Sequence, residues 1–289
     1  MTAMERTEKM RVAAINDLSG FGKCSLIADI SVLSSMGIEV CPVPTAVLTS
    51  QTGFPSYHIL DTTDMVEYSI RDWKDRNETF DGILTGFMPG EKVIDDVQSF
   101  AKAFRTEKTI FLVDPVMGDN GDRYSNYSDE MLIKMKELVA MADIITPNLT
   151  ELCLLADEDP QSVIKEFKEK RDTQLIIKLA SKIKSSDSQS IVVTGVPLDE
   201  NIISNIIVFQ HGSHVIKSSH NGLSYSGTGD LFSASLMGNI LKGKDILEAV
   251  RTTAEFINRS VEATSSTDRN YGVDYEQILA EGPGGKRLL

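Results

Sequence analysis

The segment from Ser226 to Ala234, with the sequence SGTGDLFSA, combines residue types that can transfer a charged group. Glycines let a backbone approach a ligand closely, and the small and apolar residues that follow predict a helix whose first N–H groups bind an anion. Asp230 stands at the start of that helix, where a carboxylate can take a proton from a hydroxyl while the amides stabilise charge on a phosphoryl group. The alternative interpretation is a glycine turn with Asp230 as the helix N-cap.

Polar residues also follow two predicted strands. Asp114 and Asp119 belong to DPVMGD, which places two carboxylates after one strand, where magnesium and phosphate can bind. Thr146, Asn148 and Glu151 belong to TPNLTE after the next strand, although Glu151 can instead complete a capping box with Asn148. Ligands bind beyond the carboxyl ends of the strands in open α/β sheets. Together with the glycine-rich segment, these residues therefore predict one shared site.

A third segment, DLSGFGKCS at Asp17–Ser25, has the look of a phosphate-binding P-loop. A P-loop has the pattern G-x-x-x-x-G-K-[ST]. Gly22 and Lys23 fit that pattern, but Asp17 stands at the first glycine position and Cys24 at the hydroxyl position. The spacing argues against a P-loop, so a phosphate-binding loop is expected elsewhere in the chain, and the plain interpretation of this segment is a turn between a strand and a helix.

These segments lie between short apolar runs and longer stretches of helical periodicity, a pattern that predicts βαβ units and a mostly parallel sheet covered on both faces. The predicted strands are Val12–Ile15, Val40–Leu48, Gly82–Thr85, Thr109–Val113, Asp143–Thr146 and Ser190–Thr194, and a hairpin joins Ile202–Phe209 to Ser213–Ser218. The predicted helices are Ser25–Met36, Asp64–Arg76, Glu91–Arg105, Asp129–Met141, Leu149–Ala156, Pro160–Lys184, Asp230–Leu241 and Asp245–Thr264. Since no repeat or linker divides the sequence, we expect one domain over 1–289 with flexible tails at 1–9 and 281–289.

Composition narrows the class of protein. The formal net charge of the 289 residues is −13, which argues against a nucleic-acid-binding face because that face is basic. The three cysteines are too few and too scattered for a disulfide framework. The N-terminal segment lacks the apolar core of a signal peptide, and no apolar run approaches the roughly 20 residues of a membrane span. We therefore expect a cytoplasmic protein without a membrane or nucleic-acid partner.

The motifs DPVMGD, ADIITPNLTE and SGTGDLF, in this order and preceded by LTGF, resemble those of the pyridoxal kinases of the ribokinase-like superfamily. The resemblance runs from VAAIND to the final helices. It implies a three-layer α/β/α sandwich that transfers the γ-phosphoryl group of ATP to the 5′-hydroxymethyl group of pyridoxal, pyridoxine or pyridoxamine. It also implies Mg²⁺, a monovalent cation such as K⁺, and a homodimer.

The resemblance assigns roles to individual positions. It makes Asp230 the catalytic base, and it places an anion hole at the amides of Gly227, Thr228 and Gly229. The implied ATP-binding residues are Asp114, Asp119, Thr146, Asn148, Glu151, Thr194 and Thr228, of which Asp114 and Glu151 lie in the metal region. The implied acceptor contacts are Asp17, Thr52, Phe87 and Asp230. Either Tyr124 or Tyr127 belongs to a flap over ATP.

Two departures from the pyridoxal kinase pattern affect the acceptor. Many pyridoxal kinases have Ser at the position of Asp17, and often Tyr at the position of Phe87. The run DLSGFGKCSLIADISVLSSMGIEV is also similar to hydroxymethylpyrimidine kinases of thiamine synthesis. That activity is the alternative function, and a non-catalytic protein that binds the vitamin or a nucleotide is the alternative from another class.

Overall fold

The computed structural model describes residues 9–281. Its strands, in chain order, are β1 (Arg11–Ser19), β2 (Glu39–Leu48), β3 (Ile59–Asp61), β4 (Gly82–Thr85), β5 (Ile110–Val113), β6 (Gly118–Asp119), β7 (Asp122–Arg123), β8 (Ile144–Ile145), β9 (Ser190–Pro197), β10 (Ile202–Phe209) and β11 (Gly212–Ser219). Within the described residues, nine of these strands form a sheet in the order β11-β10-β9-β8-β5-β4-β1-β2-β3, and β6 and β7 form a separate hairpin.

Helices connect most of the strands. They are α1 (Ser25–Ser35), α2 (Asp64–Asp75), α3 (Glu91–Phe104), α4 (Asp129–Met141), α5 (Leu149–Leu155), α6 (Pro160–Lys170), α7 (Thr173–Ile183), α8 (Thr228–Leu241), α9 (Ile246–Ala263) and α10 (Glu276–Ala280), and a 3₁₀ turn covers Arg269–Tyr271. The centre of the sheet, from β2 through β1, β4, β5 and β8 to β9, is parallel, whereas β3, β10 and β11 are antiparallel to their neighbours. The predicted mixed α/β fold with a mostly parallel sheet is confirmed.

The sheet separates two hydrophobic cores. Side chains alternate between the two faces of a strand, so Ile15 and Val113 pack into one core while Val12 and Leu112 pack into the other. Helices α2 to α7 cover the first core, and α1, α8 and α9 cover the second. Each fully buried Leu, Ile or Phe stabilises the folded chain by roughly 1.5–3 kcal/mol. This burial fixes α1 and α8 on the same face of the sheet.

One predicted helix was wrong. The segment predicted as Pro160–Lys184 forms two helices, α6 and α7. The break lies at Arg171, whose φ of +52° is left-handed, and at Asp172, whose side chain accepts a hydrogen bond from the backbone N–H of Gln174 and so caps α7. The short elements β3, β6, β7 and α10 were not predicted, while β4 and α4 have the predicted bounds.

The proposed tails at 1–9 and 281–289 lie almost entirely outside the described residues, and the one-domain organisation stays a prediction. Within residues 9–281, no helix combines the length and the apolar character that crossing a bilayer requires.

Candidate active site

A cavity of about 700 Å³ opens at the carboxyl ends of the parallel strands. These strand ends meet at one edge of the sheet, where open α/β sheets bind ligands. The cavity is lined by all of the predicted site residues: Asp17, Thr52, Phe87, Asp114, Asp119, Thr146, Asn148, Glu151, Thr194, Gly227, Thr228, Gly229 and Asp230. The structure brings these residues together in one cavity, and the predicted functional site and the role of each residue stay predictions.

The glycine-rich loop takes the shape that an anion site needs. Gly227 is the N-cap of α8 and has a φ of +81°, which L-residues rarely adopt. A Cβ at this position would lie 2.7 Å from the carbonyl oxygen of Lys23, so the loop packs tightly against the start of α1. No side chain caps α8, and the residues that carry its first N–H groups line the cavity. The interpretation of Asp230 as the N-cap was wrong, since Asp230 lies in the first turn of the helix.

The carboxylate of Asp230 is held by an amide that sequence analysis missed. The Asn16 Nδ2 group donates hydrogen bonds to Asp230 Oδ1 at 3.0 Å and to Asp29 Oδ2 at 3.1 Å. The Asn16 Oδ1 atom accepts from the backbone N–H groups of Asp17 and Phe87, at 3.0 and 2.8 Å. Asn16 thus fixes the position of the predicted base relative to the predicted acceptor contacts.

The environment of Asp230 makes it a stronger base than an ordinary aspartate. Burial raises the pKa of Asp230 to about 6, although the backbone N–H of Ser25 and the amide of Asn16 partly offset this rise by stabilising the charged form. A group with this pKa is mostly ionised at neutral pH and is still basic enough to accept a proton.

We expect the pH dependence of kcat to follow this pKa. A base is active when it is ionised, so kcat should be constant above about pH 7 and fall about tenfold per unit as the pH drops below about 6. The measurement is kcat at saturating substrates between pH 5 and 8. Asn16→Ala removes a donor to the charged carboxylate, so it should move the acid limb to higher pH. If the acid limb of the kcat profile stays in place or moves to lower pH in Asn16→Ala, the assignment of that limb to Asp230 is contradicted.

The side chains of Asp114 and Thr146 both contact the hydroxyl group of Ser233 in α8. The Ser233 Oγ atom lies 3.0 Å from Asp114 Oδ2, to which it donates a hydrogen bond, and 2.9 Å from Thr146 Oγ1. Burial, and then the charge of Asp230, raise the pKa of Asp114 to about 8. A Cβ on Gly229 would lie 3.7 Å from Asp114 Oδ2, so this carboxyl group borders the glycine-rich loop. No role was predicted for Ser233, which joins three of the elements that form the site.

Glu151 forms a capping box with Asn148, which is one of the two roles that the sequence left open. The Asn148 side chain accepts from the backbone N–H of Glu151 at 3.0 Å, and Glu151 Oε2 accepts from the backbone N–H of Asn148 at 2.8 Å. These two bonds form a capping box at the start of α5. The other carboxylate oxygen, Oε1, accepts from the backbone N–H of Met117 at 3.2 Å. Burial, and then the charge of Asp114, raise the pKa of Glu151 well above its usual value.

The acidic groups at this end of the cavity fit a divalent cation. Among the ion pairs of residues 9–281, none includes Asp114, Glu151 or Asp230. Within those residues, no group of three or more His, Cys, Asp or Glu side chains is arranged to hold a metal ion. Mg²⁺ is usually bound by one or two carboxylates together with substrate phosphates and water. The carboxyl groups of Asp114 and Glu151 suit that kind of site better than a site made of protein ligands alone.

The other end of the cavity contains the predicted acceptor contacts. The Ser19 Oγ atom donates to Asp17 Oδ2 at 2.7 Å, and burial raises the pKa of Asp17. Phe87 is half-buried and Thr52 is exposed, and both line the cavity. Asp17 thus presents a buried carboxyl group to whatever molecule occupies this end.

The structure distinguishes the two candidate flap tyrosines. Tyr124, which is 40% exposed, lines the cavity just after the β6–β7 hairpin. Tyr127 is only 4% exposed and packs into the hydrophobic core, where its hydroxyl donates to the backbone oxygen of Met131. Tyr124 is therefore the residue in position to cover a ligand.

The structure has a mostly parallel sheet between two helical layers, with Asp230 in the first turn of a helix at the edge of that sheet. The family model described as phosphomethylpyrimidine kinase matches residues 22–274. The chain belongs to this family and is a kinase of the group in which hydroxymethylpyrimidine and pyridoxal kinases occur.

Both kinds of kinase are among its relatives. The chain is 31% identical to the pyridoxal kinase PdxY of Histophilus somni over 211 residues, which are 69% of this chain and 68% of the relative. It is 23% identical over 262 residues to the hydroxymethylpyrimidine/phosphomethylpyrimidine kinase of Aquifex aeolicus, covering 89% of this chain and 97% of that protein. The resemblance to pyridoxal kinases is confirmed.

A solved structure extends the likeness over nearly the whole chain. A Bacteroides thetaiotaomicron protein described as a phosphomethylpyrimidine kinase, in a crystal form with pyridoxal, is 36% identical and superposes with a TM-score of 0.82. The match covers 94% of this chain and 95% of that one. The ribokinase-like fold of this chain is thereby established independently of its motifs.

Proposed function

We propose that this protein transfers the γ-phosphoryl group of ATP to the 5′-hydroxymethyl group of pyridoxal, pyridoxine or pyridoxamine. One observation carries the proposal: Asp230 lies in the first turn of α8, directly after the glycine loop, and both line the same cavity. A base for a hydroxyl group and donors for a phosphoryl group are therefore adjacent. A protein that only binds a vitamin or a nucleotide has no need of that pairing.

In this proposal the two ends of the cavity hold the two substrates. Asp230 takes the proton of the acceptor hydroxyl, and the amides of Gly227, Thr228 and Gly229 stabilise the charge on the phosphoryl group. Asp119, Thr146, Asn148 and Thr194 contact the nucleotide, and Tyr124 covers it. Asp114 and Glu151 hold Mg²⁺, which neutralises phosphate charge when it is bound.

One observation supports a B6 vitamer as the acceptor, and another favours the alternative acceptor. The related Bacteroides thetaiotaomicron structure contains pyridoxal, which supports a pyridine ring as the ligand. The buried carboxyl group of Asp17 favours the alternative, hydroxymethylpyrimidine, because it can accept a hydrogen bond from the amino group of that ring. The homodimer, the need for K⁺ and the cytoplasmic location stay predictions.

The test is ATP consumption with pyridoxal, pyridoxine, pyridoxamine and hydroxymethylpyrimidine in parallel, with mass spectrometry of each product. We expect phosphorylation of at least one B6 vitamer with a kcat/KM above that of hydroxymethylpyrimidine. If hydroxymethylpyrimidine is the better substrate, the thiamine-pathway kinase replaces this proposal. If no acceptor is phosphorylated while ligands still bind, the protein is the non-catalytic binder.

Asp17→Ser should shift the choice of acceptor. A serine hydroxyl can donate to the ring nitrogen of pyridoxal, whereas it is a weaker acceptor than a carboxylate for the pyrimidine amino group. We expect the ratio of kcat/KM for pyridoxal to that for hydroxymethylpyrimidine to rise about tenfold, since a hydrogen bond to a charged group contributes about 1.5–3 kcal/mol. Asp17→Asn is the control that keeps the shape and removes the charge. An unchanged ratio in both variants would mean that Asp17 does not contact the ring.

A further inference from the structure

The ionisable side chains on the wall of the cavity are mostly acidic. Its carboxyl side chains are Asp17, Asp114, Asp119, Glu151 and Asp230. Among the described residues that line the cavity, Arg269 is the one lysine or arginine. The phosphates of a nucleoside triphosphate add negative charge, which a nearby cation offsets.

Arg269 lies beside Asp119, one of the proposed nucleotide contacts. It begins the 3₁₀ turn that follows α9, and its guanidinium group is 3.8 Å from Asp119 Oδ2, next to the turn of the β6–β7 hairpin. Both side chains are about half exposed, at 50% and 44%. An exposed ion pair of this length contributes little to stability. The guanidinium group can therefore leave Asp119 for a more highly charged partner at small cost.

The backbone beneath this side chain is fixed against the glycine-rich loop. The backbone N–H of Ser226 donates to the carbonyl oxygen of Arg269 at 3.1 Å. The Gln51 side chain donates to the carbonyl oxygen of Asn270 at 3.3 Å. Ser226 directly precedes Gly227, so the base of the Arg269 side chain is tied to the loop whose amides form the proposed anion hole. Because the backbone is held and the side chain is half exposed, Arg269 can contact a ligand without ordering a new segment.

We propose that Arg269 binds the terminal phosphates of the nucleotide and stabilises the charge of the phosphoryl group during transfer. This inference rests on the proposed kinase function. In the reaction, the acceptor oxygen forms a bond to the γ-phosphorus, the bond from that phosphorus to the β–γ bridging oxygen breaks, and the electron pair leaves with ADP. The proton of the acceptor goes to Asp230. Arg269 exchanges no proton and supplies positive charge beside the oxygens on which negative charge is spread.

The discriminating experiment compares Arg269→Ala and Arg269→Lys with the wild type. We expect Arg269→Ala to lower kcat about 100-fold, the loss typical of one missing charge-stabilising donor, while the KM for the acceptor stays within about twofold. Arg269→Lys keeps the charge and should recover part of that loss. Added guanidinium ion, at concentrations that leave the fold intact, should raise the activity of Arg269→Ala and leave the wild type unchanged.

Binding measurements provide a readout that does not depend on turnover. By calorimetry, Arg269→Ala should weaken the binding of a non-hydrolysable ATP analogue at least about tenfold. The affinity for AMP should not change. Arg259→Ala is the matched control, since Arg259 is an exposed arginine of α9 that pairs with Glu281 and does not line the cavity. Equal kcat in Arg269→Ala and wild type, or a loss that neither lysine nor guanidinium ion relieves, would overturn the proposal. Absence of phosphoryl transfer by the wild type would instead overturn the kinase function.

Discussion

Asp230→Asn should lower kcat by about 10³-fold, within the range that a positioned general base contributes. Asparagine has nearly the same shape, and its oxygen can still accept the hydrogen bond from Asn16 that now reaches Asp230 at 3.0 Å. It cannot take a proton from the acceptor hydroxyl. The loss should therefore appear in kcat, whereas the dissociation constant of ATP should change little because the amides of the glycine loop remain. Steady-state kinetics and calorimetry measure the two quantities.

A matched variant separates the loss of the base from the loss of a charge. Asp187 lies in the exposed loop before β9, outside the cavity, and Asp187→Asn changes the net charge by the same amount. We expect this control to keep wild-type kcat. The melting temperature of Asp230→Asn should not fall, because burial already disfavours the charged carboxylate in the folded protein. Turnover of Asp230→Asn near the wild-type value would remove Asp230 from the proposed mechanism.

The sequence predicted those parts of the site whose signals are local. A strand end followed by polar residues is visible within a few positions and indicated Asp114 and Asn148, while glycines before a predicted helix indicated Gly227. The same reasoning located β4 and α4 with their observed bounds, since hydrophobic periodicity over a short window decides both.

Two missed features did have local signals. Asn120-Gly121 is the dipeptide of a tight hairpin turn, and both residues have a positive φ, +55° and +90°, in the β6–β7 hairpin. Asp172 before Thr173 is a helix N-cap signal, and it marks the point where the single helix predicted over Pro160–Lys184 breaks. The hairpin and the break between α6 and α7 are both predicted when turn and cap residues are given more weight than continuous periodicity.

Other parts of the site have no local signal. Asn16 acts through contacts with Asp29, Phe87 and Asp230, which only the folded sheet brings together. Arg269 reaches Asp119 from a turn far along the chain. Such residues can be identified as part of the site only when the order of the strands is known, because the topology decides which strand ends are neighbours.

Gly227→Ala should both destabilise the fold and abolish most activity. Alanine at a φ of +81° is strained by about 1–3 kcal/mol, and its Cβ would lie 2.7 Å from the carbonyl oxygen of Lys23 and 2.8 Å from the Cβ of Cys24. Relief of this overlap must move the loop away from α1. The N–H groups of the proposed anion hole then lose their alignment, and we expect kcat to fall by up to about 10³-fold.

Gly243→Ala isolates the contribution of backbone strain. Gly243 follows α8 at a φ of +87°, and a Cβ there would have no atom within 4 Å. Its substitution should cost about 1 kcal/mol in the free energy of unfolding and leave kcat unchanged, because it adds strain without overlap and lies outside the cavity. Denaturant titration should show a larger loss for Gly227→Ala, by about 1–3 kcal/mol for the overlap. If the two variants lose equal stability and both keep wild-type kcat, the close approach of the loop to α1 does not shape the anion site.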